Sequence, residues 1–166
     1  MEAMRTATRS LRTLPDHARV WVYKSARPFT AEQRERIDAL AAAFAGSWAA
    51  HGAPLDAAVE VLHDRFVVVA VDEEQAAASG CSIDASVRFI QHLERELGLV
   101  LTDRMVVLYA KDGEVRACRV PQVQDLLKSG ELTADTVVYD DLVSTVGDLR
   151  TRFQVPLRES WMARSL

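Results

Sequence analysis

Cysteine is scarce in this sequence, and the usual covalent and metal-held scaffolds are missing with it. Only Cys81 and Cys118 occur in 166 residues, with no C-x-x-C pair, so free thiols and a reducing, cytoplasmic compartment are expected. The histidines His17, His51, His63 and His92 are scattered and no H-E-x-x-H helix occurs; no metal site is expected. Lysine and arginine stand singly and the formal charge is −4, which argues against a nucleic-acid partner. No window approaches the roughly 18 consecutive apolar residues of a membrane span. The stretch 1–14 carries Arg5, Arg9 and Arg12 but no apolar run, unlike a secretory signal. The patterns G-x-x-x-x-G-K-[ST], G-x-G-x-x-G and G-x-S-x-G are also absent, so P-loop ATP hydrolysis is not supported and no cofactor is expected.

What is present is ordinary globular composition, 49% apolar and 27% charged. A chain of this length buries roughly 68–70% of its unfolded surface and needs no staple. "RVWVYK", residues 19–24, reads as a first strand. Thr30 and Gln33 form a capping box ahead of Ile37, Leu40, Phe44 and Trp48 at helical spacing, ended by His51, Gly52 and Pro54. "AAVEVLH" and "RFVVVAV" follow as a hairpin, and the continuous apolar run Phe66 to Val71 predicts a central strand buried on both faces. Val87, Ile90, Leu93 and Leu97 then predict a second helix ending at Gly98.

"MVVLYA" and "EVRACRV" flank an Asp112-Gly113 hairpin turn. Pro121 opens a short helix that Gly130 closes, and "DTVVYDDLV" gives one more strand. The order through Ala110 is the ferredoxin-like split βαββαβ arrangement, in which the first and third strands are central. The expectation is an α+β protein with a flexible tail over 1–14, a ferredoxin-like core over 15–110 and a C-terminal hairpin and helix extension over 111–166. Both helices of such a core cover one face of the sheet, so the extension or a second subunit in a homodimer has to cover the other.

"SGCSID" is the candidate site. A helix starting near Ile83, capped by Ser82 or Asp84, would turn its free N–H groups toward Ser79, Gly80 and Cys81. Such a cradle suits a small anionic ligand or serves as a structural cap. Cys81 at the positive end of the helix dipole is the candidate nucleophile of an alternative, cysteine-dependent or redox-responsive protein. His51, His63 and Arg104 are its possible helpers. Cys81 and Arg88 miss the phosphatase-loop spacing by one residue. Tyr23, Trp48, His51, Arg65, Arg104, Trp161 and Arg164 are possible cleft neighbours, the Trp near the C-terminus reading first as an anchor. The leading expectation is a non-catalytic binding or regulatory protein with a small-ligand or protein partner.

The segments "VWVYKSARPFT", "WAAHGAPL", "DRFVVVAVDE", "SGCSIDASVRFIQHLE" and "SWMAR" resemble, from about Pro15 to Leu166, an uncharacterised family of small bacterial proteins often labelled ABC transporter ATPase. Met162 and Ser165 depart from its tail pattern. Without Walker motifs the resemblance implies a family and no activity. Residues Gly113 to Asp140 are also similar to the later part of GYF-type domains, which implies binding of proline-rich peptides. Arg119, Val120 and Pro121 stand where such domains carry a Gly-Pro-Phe turn.

Overall fold

The computed structural model describes residues 10–74 and 78–166. In chain order the elements are β1 (Arg19–Lys24), α1 (Ala31–Ser47), β2 (Ala49–Ala50), β3 (Ala53–Pro54), β4 (Asp56–Leu62), β5 (Phe66–Asp72) and α2 (Gly80–Leu97). The second half adds β6 (Val106–Lys111), β7 (Glu114–Arg119), α3 (Val123–Ser129), β8 (Val137–Tyr139), α4 (Val146–Arg152) and β9 (Gln154–Pro156). The protein is a mixed α+β fold, and no helix among the described residues is long and apolar enough to cross a membrane.

Every residue of β5 is buried, as its unbroken apolar run predicts. It lies at the centre of an antiparallel sheet of order β1-β5-β4. Val67, Val69 and Val71 face α1 and α2 and pack with Ile37, Ile90 and Leu93. Phe66, Val68 and Ala70 face the other way, since alternate residues of a strand point to opposite faces. The α1 start is capped as expected: Thr30 Oγ1 accepts from the Gln33 N–H at 3.1 Å, and Gln33 Oε1 accepts from the Thr30 N–H.

The second half does not complete this sheet. β6 was expected as its fourth strand, beside β1; instead it pairs with β7 and β8 in a separate sheet of order β7-β6-β8-β9. The reason is visible in the hairpin. Asp112 and Gly113 both adopt positive φ, 53° and 76°, the geometry of a two-residue turn whose twist matches its strands, and β7 is bound along all of β6. β1, expected to be central, is consequently an edge strand. The second sheet lies across the open face of the first, where Val106, Leu108, Tyr139 and Phe153 meet Phe66, Val68 and Ala70. Its far face is covered by α3 and the C-terminal turns through Val123, Leu132, Leu157 and Met162. The layers run helix, sheet, sheet, helix, and the chain supplies its own cover for the face that a second subunit was a candidate to hide.

Other differences are local. "DTVVYDDLV" narrows to the three residues of β8, and α4 and β9 were not expected at all. Residues 10–14, read as part of a tail, form a turn with Leu11 and Leu14 buried; residues 1–9 lie outside the described chain. Arg150 on α4 holds that turn, donating to the carbonyls of Leu11 and Leu14 at 2.8 Å each and to the Asp16 carboxylate. Gly147 is required beneath it: a Cβ there would stand 3.1 Å from the Asp16 Cβ and 3.2 Å from the Asp16 carbonyl oxygen.

Phe66 joins the two sheets, its ring 5.3 Å from Tyr139 and 4.9 Å from Phe153. Phe66→Ala is expected to cost about 3–5 kcal/mol in urea unfolding. Leu142→Ala, at a side chain 67% exposed, is expected to stay within about 0.5 kcal/mol of the parent.

Candidate binding cleft on the free edge of β1

In an antiparallel strand a residue's N–H and C=O point to the same edge, and neighbours alternate. The Val20 N–H donates to the Ser144 carbonyl at 3.0 Å, and the Lys24 N–H donates to the Leu101 carbonyl at 3.3 Å. Both point away from β5. Val22 lies between them with the same parity, so its N–H and C=O also face outward, and among the described residues neither has a partner. The edge is therefore pinned at both ends and open in the middle.

The opening is a cleft of 680 Å³, within the range of ligand sites, about 300–1,000 Å³. Residues 101–104 and α2 form one wall; residues 141–144 and Trp161 form the other. Trp21, Tyr23 and Trp161 line it, all half-buried. Of the exposed large apolar side chains among the described residues, Val87 and Leu142 both open into it. Burial raises the Tyr23 pKa, so its hydroxyl stays protonated and can donate; no protein group among the described residues takes that bond.

The charges are unevenly matched. Lys24 Nζ, almost fully buried, sits 2.7 Å from Asp141 Oδ2 and ties β1 to the 141–144 wall. Asp103 is bound by Arg119 at 2.8 Å; that hydrogen bond and the Met105 N–H hold its carboxyl below the usual range. Arg19 pairs with Glu73 at 3.0 Å and lies over the Trp21 ring at 4.7 Å, a cation–π contact. Arg104 is exposed and has no carboxylate partner among the described residues.

Of the residues nominated from sequence, the cleft brings together Tyr23, Arg104 and Trp161. The others lie elsewhere. Trp48 is buried, donating from Nε1 to the Ser82 carbonyl at 2.8 Å. His51 occupies the exposed β2–β3 turn at φ 51°. Arg65 donates to the carbonyls of Ala26 and Val115, joining the two sheets. His63 packs on Tyr139 at 5.1 Å and bonds Gln154. Arg164 is exposed in the last turn and does not line the cleft.

The helix start differs from its expected form. α2 begins at Gly80 with Ser79 as N-cap, not near Ile83 with Ser82 or Asp84. The reason is a serine pair: Ser79 Oγ accepts from the Ser82 N–H at 3.1 Å, and Ser82 Oγ accepts from the Ser79 N–H at 2.7 Å. The two hydroxyls satisfy the helix rather than facing a ligand. Asp84 is exposed within the helix. Cys81 is exposed and free, with no hydrogen bond to a base among the described residues. Val22, Trp21, Lys24 and Asp141 were not singled out from sequence, because their places follow from the pairing of β6 in the second sheet rather than beside β1. Comparison with protein-family models, curated proteins and solved structures returns no match to this chain.

Lys24→Ala leaves the Asp141 carboxylate without its cation, and a loss of about 3 kcal/mol in urea unfolding is expected. Arg34→Ala, which removes exposed pairs to Asp38 and Asp64, should cost under about 1 kcal/mol. The two thiols should also differ. Burial pushes Cys118 up to about 11, so iodoacetamide at neutral pH should label Cys81 in the folded protein and Cys118 only after unfolding, as read by intact mass and peptide mapping.

Proposed function

We propose that this chain is a non-catalytic cytoplasmic binding protein whose ligand site is the cleft along the free edge of β1. The observation that carries the reading is the Val22 backbone, unpartnered among the described residues, set in a recess beside Trp21, Tyr23 and Trp161 and near Arg104, which has no carboxylate partner among the same residues. A concave, mostly apolar site with a few unspent polar groups is the usual form of a binding site. The first half reads as a ferredoxin-like unit with its fourth strand withdrawn, and the withdrawn strand leaves the site. A cradle at residues 79–84 has less support because Ser79 and Ser82 are engaged with each other. Thiol catalysis has less support because no base among the described residues is hydrogen-bonded to Cys81. We also propose kinship with the small bacterial family that the sequence resembles. Of its segments, "VWVYKSARPFT" contains β1 and "SWMAR" contains Trp161.

The test is a titration of ¹⁵N-labelled protein with phenylacetate and indole-3-acetate, small probes that carry one aromatic group and one carboxylate. Saturable amide shifts are expected at residues 21–23 and 102–104, weakened by Trp161→Ala. Saturable shifts confined to residues 79–84 would move the site to the helix start. No saturable shift for either probe, together with no peptide bound at the cleft, would remove the reading.

A further inference from the structure

A ferredoxin-like sheet carries a strand on the outer side of β1. Here β6 sits in the second sheet, and its place beside β1 is the recess. We infer that an extended acidic peptide of a partner protein fills this place by adding as a strand to the edge of β1, an inference that rests on the cleft being the ligand site.

Four features select that occupant. First, Val22 offers one N–H and one C=O on the same edge, the pair that a residue of an added antiparallel strand engages. Second, the recess is walled. The walls at 101–104 and 141–144 close on both ends of β1, so the β1 of a second copy, recessed in its own cleft, cannot reach it, whereas a single extended chain can. Third, side chains of an added strand alternate between faces. One set meets Trp21 and Tyr23, which lie on the helix side of the sheet, and the other meets the side of Val22, which packs toward the second sheet.

The fourth feature is charge. The molecule carries −4, yet the lining cations Arg19, Lys24 and Arg104 outnumber Asp103 and Asp141, each of which already has its own cation. Arg104 alone of the three has no carboxylate among the described residues. It lies at the Lys24 end of the edge, three residues after Leu101, whose carbonyl takes the Lys24 N–H. Extended residues advance about 3.3 Å each. The partner's Asp or Glu therefore falls one or two positions from the residue opposite Val22, on the Lys24 side.

The test uses a displayed library of random linear peptides selected on the full chain, with Val22→Pro as counter-target. Proline removes the outward N–H and leaves the ladder with β5 its donors; Arg104→Glu, at an exposed side chain, is the second variant. Far-UV circular dichroism and thermal unfolding verify that both fold. The expected result is enrichment of peptides with an Asp or Glu near β-branched or aromatic residues. Their affinity should fall at least about tenfold with Arg104→Glu, and likewise on N-methylation of the one peptide residue that faces Val22.

Peptides that bind the cleft but tolerate N-methylation at every position would overturn strand addition while leaving the cleft as the ligand site. Enrichment of basic peptides would overturn the acidic assignment. Failure to enrich any peptide on the parent chain over Val22→Pro would overturn the inference, and the aromatic-acid titration then decides the cleft reading separately. A dimer in sedimentation that Val22→Pro dissociates would replace the peptide by a second copy and overturn it as well.

Discussion

A strand with apolar side chains on both faces needs an apolar layer on each side, and β5 imposes that requirement on the rest of the molecule. Burying a Val or Phe side chain is worth roughly 1.5–3 kcal/mol, and all seven residues of β5 are buried. Two helices packed on the same side can cover only one face. The layer on the other face has to come from further along the chain, and the second sheet provides it with Val106, Leu108, Tyr139 and Phe153. Recruiting β6 into that covering sheet prevents it from extending the first one. The cover over β5 and the bare edge of β1 are thus two results of one choice.

Bare edges invite aggregation, and proteins blunt them. β1 is blunted by being sunk between walls rather than by being paired. Arg19 and Lys24 place charges at its two ends, and those ends are clipped by the Val20 N–H donating to the Ser144 carbonyl, beside an Arg19–Thr145 bridge, and by the Lys24 N–H donating to the Leu101 carbonyl. Between them, Val22 has neither its N–H nor its C=O partnered among the described residues. An edge this short cannot template a flat sheet of copies, but it can hold a slender chain or a small molecule. The buried Lys24–Asp141 pair belongs to the same device, since it fixes the 141–144 wall against the strand.

Much of the local structure was legible because local chemistry decided it. The Thr30–Gln33 box, the Asp112-Gly113 turn, the Gly98 and Gly130 stops and the buried β5 run all behaved as their residues require. The fourth strand was misplaced because "MVVLYA" is equally suited to either sheet; only the competition between β1 and the β7 hairpin for its edge decides the matter. α4 carries its own start signal in the sequence, Thr145 with Asp148 three residues on, and Thr145 Oγ1 accepts the Asp148 N–H. Tyr23, Arg104 and Trp161 were nominated for the cleft, whereas Val22 was not, because a backbone group is left open only through a missing neighbour.

The serines before α2 take on a different meaning in this setting. Their reciprocal hydrogen bonds fix the first turn of the helix, and with it the position of the Ser82 carbonyl. That carbonyl receives Trp48 Nε1 in a buried bond, so a ring that ends α1 is locked to the start of α2. Trp48 in turn stands edge-on to Trp21 at 6.4 Å, and Trp21 lines the cleft beneath Arg19. Phe44, 5.2 Å from Trp48 and stacked on Phe89 at 4.6 Å, prevents the brace from tilting away. A segment that reads as a ligand cradle is connected to the cleft through two indole rings. Its serines hold Trp48, and through it Trp21 on the wall of the cleft, in place.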